Sequence, residues 1–407
     1  AIEFARAGFT VFGVDSQATK VENINHGHSV IPDISDEDIA ELTEKNKLHA
    51  TTDYKVTGEV DAISICVPTP LRKMREPDIS FVMDAVRKTA RYLKKNQLII
   101  LESTTYPGTT DEIILPIFSG KGLKEGTDFF LAFSPERIDP GNKVFTTKTI
   151  PKVVGGITKK CTSMAKLLYD QICDNVITVS STRAAELVKL LENTFRSTNI
   201  ALANEMAIIS RHIGIDIWEV VDAAATKPFG FMPFYPGPGL GGHCIPVDPY
   251  YLTWKSKQMG YRAKFIELAG EINQAMAPYV VERISDILNP KRKCINGSLI
   301  LILGVAYKKN VNDSRESPAI EIMNILKTKG AKLRYNDPFI PRITFDGKTI
   351  KSAPLNEKLL KQADCTVIIT DHSKYDFNEI VSKSKLVMDT RNATRSVKKH
   401  RGKIVKL

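Results

Sequence analysis

The chain has 407 residues, 43% of them hydrophobic and 25% charged, which is ordinary for a globular protein and leads us to expect two or three domains. No apolar run approaches the roughly 20 residues of a membrane span, so we do not expect a membrane-spanning protein. The start of the chain does not have the pattern of a signal peptide, so we expect a cytoplasmic protein. The net charge of +11 is spread thinly except for a cluster at residues 398–406 without interleaved aromatic residues, which we interpret as a solvated tail and not as a nucleic-acid-binding surface; a positive field also suits an anionic, phosphorylated substrate.

The N-terminal region has the pattern of a dinucleotide-binding fold that begins at its second strand. Residues 1–8 have the pattern of the end of an amphipathic helix, with Gly8 as its stop, and residues 10–15 form a short apolar strand closed by Asp15. An acid at this position accepts hydrogen bonds from the ribose hydroxyls of adenosine. The first strand and its glycine-rich turn would precede residue 1, so the motif that usually identifies this fold is missing.

Strands and helices alternate after this point, which predicts a parallel, doubly wound sheet. The expected elements are strands over residues 61–67, 97–101 and 129–133, and a helix over residues 78–93. Ligands of such sheets bind at the carboxyl ends of the strands. Thr69, Thr104 and Glu136 each follow one of these strands and are therefore candidate site residues.

A helical middle region separates this pattern from a second one near the C-terminus. The middle region is expected to hold a long helix over residues 181–213, a helix capped by Asp216 and Glu219, and two helical stretches within residues 250–288. The strands of the second pattern are expected over residues 299–303, 331–335, 365–370 and 385–388, with a helix over residues 317–329. We therefore predict an α/β chain in which two Rossmann-like doubly wound domains, at residues 1–180 and 290–407, are joined by a central helical domain at residues 181–289.

Polar side chains form a stripe on the long helix. Lys189 and Asn193 are four residues apart and point the same way, and Glu186 extends the stripe by one turn. A solvated face is the usual meaning of such a stripe. Because this helix follows an α/β domain, a buried polar face is credible, and a buried lysine beside an amide can stabilise an oxyanion or hold a water molecule.

The segment over residues 227–249 has the composition of a rigid, shaped loop. Residues 228–249 contain five glycines and six prolines, and the exposed amides of residues 237–242, which include Gly239 and Gly241, are suited to cradle a pyrophosphate. Cys244 follows this run and Asp248 lies four residues further on. A thiol near a lysine and a carboxylate is a candidate nucleophile, although a buried structural cysteine is the commoner case.

The other five cysteines are expected to be buried structural thiols. They are Cys66, Cys161, Cys173, Cys294 and Cys365, and none of the six belongs to a CxxC pair or to a zinc-ligand pattern. No metal site is therefore predicted. His243 is of a residue type that acts as a base, but its side chain could equally serve only in packing, so no role is assigned to it.

Four segments resemble the UDP-glucose/GDP-mannose dehydrogenase family. The run GPGLGGHCIPVDPY at residues 237–250 resembles the family's active-site motif, and residues 134–136, 186–193 and 304–317 resemble its other motifs. The resemblance covers essentially the whole chain. Within the family, residues 227–249 and 134–142 are most similar to the UDP-N-acetylglucosamine 6-dehydrogenases, and Pro140 stands where UDP-glucose enzymes often carry a second glutamate.

The resemblance implies an NAD-dependent enzyme that oxidises the CH2OH group of a nucleotide sugar twice. It implies Cys244 as the covalent nucleophile, with Lys189 and Asn193 stabilising the oxyanion and Lys189 lowering the pKa of the thiol. Asp248, together with Thr104, would hold a water molecule. Glu136 would assist hydrolysis of the thioester.

The remaining contacts that the resemblance implies are divided between cofactor and substrate. The NAD contacts are Asp15, Lys20, Thr69 and Thr104 in an N-terminal, NAD-binding domain, and Arg315 outside that domain. The contacts with the UDP-sugar are Glu136, Lys189, Asn193, Gly239, Gly241, Lys308 and Arg391, the last two in a C-terminal UDP-sugar-binding domain. Surface charge is the alternative for Lys308 and Arg315.

The identity of the sugar, the catalytic activity of the protein and its assembly state stay open. The sugar is expected to be UDP-N-acetylglucosamine, or else UDP-N-acetylmannosamine, UDP-N-acetylgalactosamine or UDP-glucose. A non-catalytic nucleotide-sugar-binding protein would result if the missing glycine-rich turn abolished NAD binding, whereas a two-electron hydroxyacid dehydrogenase has no use for Cys244. The apolar surface of the long helix and the resemblance both predict a homodimer or larger homo-oligomer.

Overall fold

The computed structural model describes residues 1–31, 34–72, 75–138, 145–242 and 244–407, so that Pro140 and His243 lie outside it. The chain divides into two compact units, the first of residues 1–192 and 250–261 and the second of residues 193–249 and 262–407. The predicted division into three domains at residues 180 and 289 remains a prediction. In the described ranges, no helix is both long enough and apolar enough to cross a membrane.

The first unit alternates strands and helices, as the pattern predicts. Its elements are α1 Ile2–Arg6, β1 Val11–Val14, α2 Ala18–Asn25, α3 Asp36–Glu44, β2 Leu48–Thr51, a 3-10 turn Tyr54–Gly58, β3 Ala62–Ile65, α4 Ser80–Ala90, β4 Gln97–Leu101, a π-helical turn Thr109–Ile114, α5 Leu115–Ser119, β5 Phe129–Phe133, β6 Lys152–Gly156, α6 Lys159–Tyr169 and β7 Val176–Thr178. The boundary between the units falls within the long helix α7 Thr182–Ile213, which begins one residue after the predicted position.

Two sheets are present in the first unit. Strands β1 and β2 pair in parallel as a two-stranded sheet, and the five-stranded sheet has the order β3-β4-β5-β6-β7. The prediction of a wholly parallel sheet is wrong for β6, which runs antiparallel to β5 with Phe133 opposite Gly155. A parallel return needs a crossover, usually a helix. The described residues between the two strands, 134–138 and 145–151, hold no helix.

The central strands of this sheet are buried on both faces, which explains their unbroken apolar sequence. Every residue of β4 and β5 is buried. Leu98 and Ile100 pack in the core that contains residues of α6, whereas Ile99 and Leu101 pack in the core that contains residues of α4. Continuous apolar strands are typical of sheets covered by helices on both sides.

The second unit contains a helical part and a parallel sheet. Its elements are the C-terminal part of α7, α8 Ile217–Ala224, α10 Lys264–Leu288, a 3-10 turn Asn289–Lys291, β8 Leu299–Leu303, α11 Pro318–Thr328, β9 Lys332–Asn336, β10 Arg342–Phe345, β11 Lys348–Lys351, α12 Glu357–Gln362, β12 Cys365–Ile368, α13 Phe377–Lys383, β13 Val387–Asp389, a 3-10 turn Arg401–Lys403 and β14 Ile404–Lys406. The helix between α8 and α10 in sequence is α9, Asp248–Gln258. Asp216 caps α8 by accepting a hydrogen bond from the Trp218 amide.

The sheet of the second unit has the order β14-β13-β12-β8-β9, and all its strand pairs are parallel. The strand order changes direction at β8, because β9 is added on one side of β8 and β12 on the other. Parallel sheets bind ligands outside the carboxyl ends of the strands at such a point. Strands β10 and β11 form a separate antiparallel hairpin that the sequence analysis did not predict.

The interpretation of residues 398–406 as a solvated tail is wrong for its last part. Residues Ile404–Lys406 form edge strand β14, since Ile404 and Val405 are β-branched residues that favour strands. Lys406 lies 2.6 Å from the Asp216 carboxylate, and Lys403 donates a hydrogen bond to the carbonyl of Ser382.

Candidate active site

Cys244 and Asp248 belong to one hydrogen-bonded turn at the start of α9. The carbonyl of Cys244 accepts hydrogen bonds from the amides of Val247 (3.0 Å) and Asp248 (2.8 Å). Asp248 is buried, and its carboxylate accepts a hydrogen bond of 2.5 Å from the side-chain amide of Asn193, which is also buried. Cys244 itself is exposed. Three residues that the sequence analysis singled out therefore lie together in the second unit.

A chain of buried asparagines holds the glycine-rich loop against the helices. The amide of Gly237 donates to Asn204 Oδ1 (2.9 Å), Asn204 Nδ2 donates to Asn273 Oδ1 (2.9 Å), and Asn273 Nδ2 donates to the carbonyl of Ser197 (2.9 Å). The sequence analysis missed both asparagines. The available signal was an asparagine on the apolar face of each of two helices, α7 and α10, where a buried amide needs a partner.

Several glycines of this loop allow a close approach that a larger residue would prevent. A Cβ on Gly237 would lie 2.5 Å from Arg391 Nη1, and one on Gly241 would lie 2.8 Å from Tyr307 Cβ. Gly239 has φ of +128°, a conformation that L side chains rarely adopt. The loop therefore lies directly on the turns that carry Arg391 and Tyr307, and Lys308 follows Tyr307 in the same turn.

The turn after β8, which carries Lys308, is fixed by a buried acid and histidine. Asp337 Oδ2 accepts hydrogen bonds from the amides of Val305 (2.7 Å) and Ala306 (3.0 Å), and His372 Nε2 lies 3.1 Å from the same oxygen. Because His372 Nδ1 accepts from the amide of Asn310, the proton is on Nε2. Burial alone would raise the pKa of Asp337, but the hydrogen bonds from His372 and the backbone lower it below its usual value.

Arg391 lies after β13, at the carboxyl edge of the same sheet. Its Nε donates to the carbonyl of Ile369 at 3.0 Å, and its amide donates to the buried carboxylate of Asp389. Burial lowers the pKa of the guanidinium, against the opposing charges of Asp371 and Asp389. A guanidinium held in this way is suited to bind a phosphate or carboxylate.

Arg315 lies close to the loop, with its side chain directed to an acid. Its guanidinium donates to both carboxylate oxygens of Asp313, and its carbonyl accepts from the amide of Gly242 at 3.4 Å. Its pKa is raised chiefly by Asp313, with a smaller contribution from the charge of Cys244. The predicted NAD contact of Arg315 remains a prediction.

In the first unit, Thr69, Thr104 and Glu136 lie after the adjacent strands β3, β4 and β5, as predicted. The hydroxyl of Ser103 donates to the carbonyl of Val67 at 2.7 Å and so joins the ends of β3 and β4. The carbonyl of Thr69 accepts a hydrogen bond of 2.6 Å from the Tyr251 hydroxyl. The carboxyl ends of three strands thus form one polar edge.

Glu136 is held at this edge by its own loop and by one lysine. Its Oε1 accepts hydrogen bonds from the amides of Arg137 (2.6 Å) and Ile138 (2.7 Å), and its Oε2 lies 3.3 Å from Lys152 Nζ. Arg137 pairs with Glu192 at 2.7 Å, one turn of α7 beyond the half-buried Lys189. The loop of Glu136 is thereby tied to the helix that carries Lys189.

Asp15 and Lys20, the predicted ribose-binding pair, lie together after β1. Lys20 Nζ is 3.5 Å from Asp15 Oδ2, and Asp15 Oδ1 accepts from the amide of Gln17 at 2.8 Å. The Asp15 side chain is 39% exposed. Its carboxylate is therefore accessible to a diol.

Glu186 has a structural partner that the sequence analysis did not identify. It is fully buried and accepts hydrogen bonds from the Gly108 amide (2.7 Å), the Thr110 amide (2.9 Å) and the Thr110 hydroxyl (2.7 Å). Burial raises the pKa of Glu186 to about 7, against these hydrogen bonds. Glu186 joins α7 to the loop after β4.

The prediction that the five other cysteines are buried is wrong for two of them. Cys66 and Cys294 are exposed, whereas Cys161, Cys173 and Cys365 are buried. Cys66 directly follows β3 and Cys294 lies in the connection before β8, so both are outside the strands and helices that form the cores. Exposure therefore does not distinguish Cys244 from the other thiols, whereas its setting in the glycine-rich loop does.

Lys189 and Cys244 fall in different units, so their approach to one another remains a prediction. Within the described residues, no group of three or more His, Cys, Asp or Glu side chains is arranged to hold a metal ion.

Sequence models of a single family match the chain in three consecutive segments. The NAD binding domain of the UDP-glucose/GDP-mannose dehydrogenase family matches residues 1–173, its central domain matches residues 183–275, and its UDP binding domain matches residues 301–396. The chain belongs to the UDP-glucose/GDP-mannose dehydrogenase family. It is an NAD-dependent oxidoreductase, and the predicted family, fold class and cofactor are confirmed.

Relatives of this UDP-glucose/GDP-mannose dehydrogenase family member match over most of its length. It is 34% identical to UDP-N-acetyl-D-mannosamine dehydrogenase of Pyrococcus horikoshii over 96% of this chain and 92% of that protein. It is 36% identical to UDP-N-acetyl-D-glucosamine 6-dehydrogenase of Pseudomonas aeruginosa over 84% of this chain and 80% of that protein. The solved structure of the Pyrococcus horikoshii enzyme matches with a TM-score of 0.90 and 31% identity, covering 100% of this chain and 94% of that one.

The residues of this dehydrogenase fit the adenosine ribose of NAD. Asp15 offers an accessible carboxylate at the carboxyl end of β1, and Lys20 lies beside it. Carboxylates in this position accept hydrogen bonds from ribose hydroxyls.

Proposed function

We propose that this dehydrogenase oxidises the CH2OH group of a UDP-N-acetylhexosamine to a carboxylate, using two NAD for each sugar and a covalent intermediate on Cys244. The arrangement of Cys244, Asp248 and Asn193 carries the proposal, because one hydrogen-bonded turn carries both a thiol and a buried, hydrogen-bonded carboxylate, in a loop that lies directly on Arg391. A two-electron alcohol oxidation has no need of such a thiol.

The binding residues divide the substrate between two ends. Arg391 and Lys308, at the carboxyl edge of the sheet β14-β13-β12-β8-β9, bind the UDP part, and the amides around Gly239 and Gly241 bind the pyrophosphate. The glycine-rich loop then directs the sugar toward Cys244. A rigid loop keeps the reacting carbon in place through two oxidations.

The chemistry begins with loss of a proton and a hydride from the CH2OH group. The proton passes to water, and NAD, with its ribose held by Asp15 and Lys20, would be the hydride acceptor. The Cys244 thiolate then adds to the aldehyde carbon, and Lys189 and Asn193 stabilise the negative oxygen of the thiohemiacetal. Loss of a second hydride, for which a second NAD would be the acceptor, converts the thiohemiacetal to a thioester. Water held by Asp248 and Thr104 gives up a proton to Glu136 and attacks the thioester carbon, whose bond to sulfur breaks and releases the acid.

UDP-N-acetylglucosamine is the first candidate substrate, because the loop at residues 227–249 is most similar to that of enzymes that act on it. UDP-N-acetylmannosamine is the second candidate, supported by the similarity to the Pyrococcus horikoshii enzyme over 96% of the chain. Both sugars are N-acetylated, which supports the class. Uronic acids of this kind are building blocks of surface polysaccharides.

The first prediction tests the covalent mechanism. With a UDP-sugar panel monitored by NADH absorbance, we expect two NADH for each molecule of the preferred sugar and a uronic acid product identified by mass spectrometry. Cys244→Ser lowers acid formation at least about 100-fold, because the aldehyde is no longer held as a thiohemiacetal. Cys294→Ser, which removes another exposed thiol, retains wild-type activity.

Two results contradict the proposal. Normal acid yield from Cys244→Ser excludes the covalent mechanism. Binding of UDP-sugars by calorimetry without any NADH formation, at saturating NAD, indicates a non-catalytic nucleotide-sugar-binding protein instead.

We also propose a homo-oligomer assembled through the exposed apolar side of α7. The exposed residues Leu202, Met206, Ile209 and Ile213 recur every three or four positions and so form one stripe along the helix. An exposed apolar stripe of this length is typical of an interface.

A further inference from the structure

We propose that Lys152 is a positioning residue for thioester hydrolysis, which holds the Glu136 carboxylate in place through an ion pair anchored in the protein interior. The inference rests on the proposed function, since that function gives Glu136 its role. Lys152 does not touch the reacting atoms and acts only through Glu136.

The antiparallel pairing of β5 and β6 places the two residues opposite each other. Phe133 pairs with Gly155, and continuing this register three residues in each direction brings Glu136 across from Lys152. Lys152 Nζ lies 3.3 Å from Glu136 Oε2. The lysine side chain is only 8% exposed, whereas that of Glu136 is 47% exposed. The charge of Lys152 thus meets Glu136 from the protein side and leaves its outer side accessible to water.

A second, more buried carboxylate, that of Glu102, also pairs with Lys152. Glu102 Oε2 lies 2.9 Å from Lys152 Nζ, and Glu102 Oε1 accepts hydrogen bonds from the hydroxyls of Ser64 (2.6 Å) and Tyr169 (2.5 Å). The ring of Tyr169 also lies 5.0 Å from Lys152 Nζ, a cation–π contact. A buried lysine with these contacts has little freedom to turn away from Glu136.

The charges of this cluster support the same conclusion. Burial disfavours the Lys152 cation, but the carboxylates of Glu102 and Glu136 raise its pKa above the usual value. Burial would likewise raise the pKa of Glu102, but Lys152 and the hydrogen bonds from Ser64 and Tyr169 lower it below the usual value. Lys152 therefore carries its charge between the two carboxylates.

Glu136 has to be ionised and fixed in order to act. It takes one proton from water as the water oxygen bonds to the thioester carbon, and the carbon–sulfur bond then breaks to leave the Cys244 thiolate and the free acid. Two backbone amides hold Oε1 and Lys152 holds Oε2, so the carboxylate cannot rotate. Without Lys152, Glu136 Oε2 would lose the contact that fixes it, and the carboxylates of Glu102 and Glu136 would repel each other.

The test is pre-steady-state kinetics of Lys152→Met in the full chain, with the preferred UDP-sugar and NAD. We expect a burst of two NADH for each active site, a kcat lowered about 10- to 100-fold, a KM within about threefold of wild type, and a thioester adduct on Cys244 in the intact mass of quenched enzyme. Lys152→Arg restores most of the turnover. The control is Lys148→Met, which removes an exposed lysine (69% exposed) from the same segment and leaves turnover unchanged.

The split between kcat and KM, together with the rescue by Lys152→Arg, is a readout that a merely structural role would not change.

A double variant separates positioning from stability. Lys152→Met with Glu102→Gln removes both buried charges together and leaves only the more exposed Glu136 without its partner, and we expect turnover to remain as low as in Lys152→Met. Wild-type turnover in Lys152→Met or in the double variant overturns the inference. Normal acid formation by Cys244→Ser, with no thioester adduct on any variant, instead contradicts the proposed function on which it rests.

Discussion

The candidate site residues differ in how far the sequence reveals their neighbours. The proximity of Cys244 and Asp248 could be predicted because they are close together in a run of glycines and prolines, and their catalytic roles remain predictions. Asn204 accepts from the Gly237 amide, and Asn273 donates to the Ser197 carbonyl. These contacts of Asn204 and Asn273 could not be predicted, because each partner is distant in sequence. The same is true of Lys152, whose importance depends on the register of one strand pair.

The packing of Gly237 against Arg391 gives a prediction at the residue scale. Gly237→Ala adds a methyl group 2.5 Å from Arg391 Nη1, so the guanidinium has to move away from its present position. We expect the KM for the UDP-sugar to rise about tenfold, equivalent to ~1.4 kcal/mol, with the KM for NAD unchanged. Steady-state kinetics with each substrate varied in turn measures both constants.

The matched control is Gly402→Ala, because a Cβ on Gly402 would meet nothing within 4 Å. An unchanged KM for the UDP-sugar in Gly237→Ala would show that Arg391 does not bind it.

At the scale of elements, the sequence predicted best where a strand is covered on both faces. The limits of β4, β5 and β8 agree with their apolar runs, since burial on both sides requires an unbroken run. The short strands β7, β10, β11 and β14 were missed because exposed residues interrupt or flank them. The direction of β6 could not be predicted, because the segment between β5 and β6 has no hydrophobic periodicity that indicates a helix or a strand.

The burial of Glu186 in α7 gives a pH-dependent prediction. Burial raises the pKa of Glu186 to about 7, above its value of roughly 4.3 in an unfolded chain, so the folded state binds the proton more tightly. This contribution to stability is complete below about pH 4 and is lost as the pH rises through 7. Between pH 5 and pH 8 we expect the free energy of unfolding of the wild type to fall by about 2 kcal/mol more than that of Glu186→Gln.

Urea denaturation at the two pH values measures this difference. The control is Glu205→Gln, which removes an exposed carboxylate from the same helix and should follow the wild type. Parallel curves for the wild type and Glu186→Gln would rule out a raised pKa at Glu186.

At the scale of the whole molecule, the α/β class and both nucleotide-type folds followed from the alternation of strands and helices. The division into units did not, because the boundary lies inside α7, where the sequence continues as one uninterrupted helix. Assembly remains a prediction from the same helix, since several of its apolar residues are exposed.

The apolar stripe on α7 gives a prediction about assembly. Ile209→Glu places a charge within the stripe, and we expect it to dissociate the homo-oligomer to monomers at micromolar concentration, as measured by size-exclusion chromatography with light scattering. Leu167→Glu is the control, because Leu167 is an equally exposed leucine of α6, outside the stripe. A wild-type chain that is monomeric at high concentration, or an Ile209→Glu variant with an unchanged mass, would exclude this interface.

The distribution of the cysteines has a practical consequence for studying the enzyme. Three of the six cysteines, Cys66, Cys244 and Cys294, are exposed residues and the other three are buried, although burial of its thiol raises the pKa of Cys66 to about 11. An alkylating reagent or a peroxide therefore encounters several targets in the native molecule, and inactivation by such a reagent identifies the nucleophile only when the modified peptide is sequenced. In a chain in which Cys66 and Cys294 are both replaced by serine, Cys244 would be the one exposed cysteine left for a covalent inhibitor to modify.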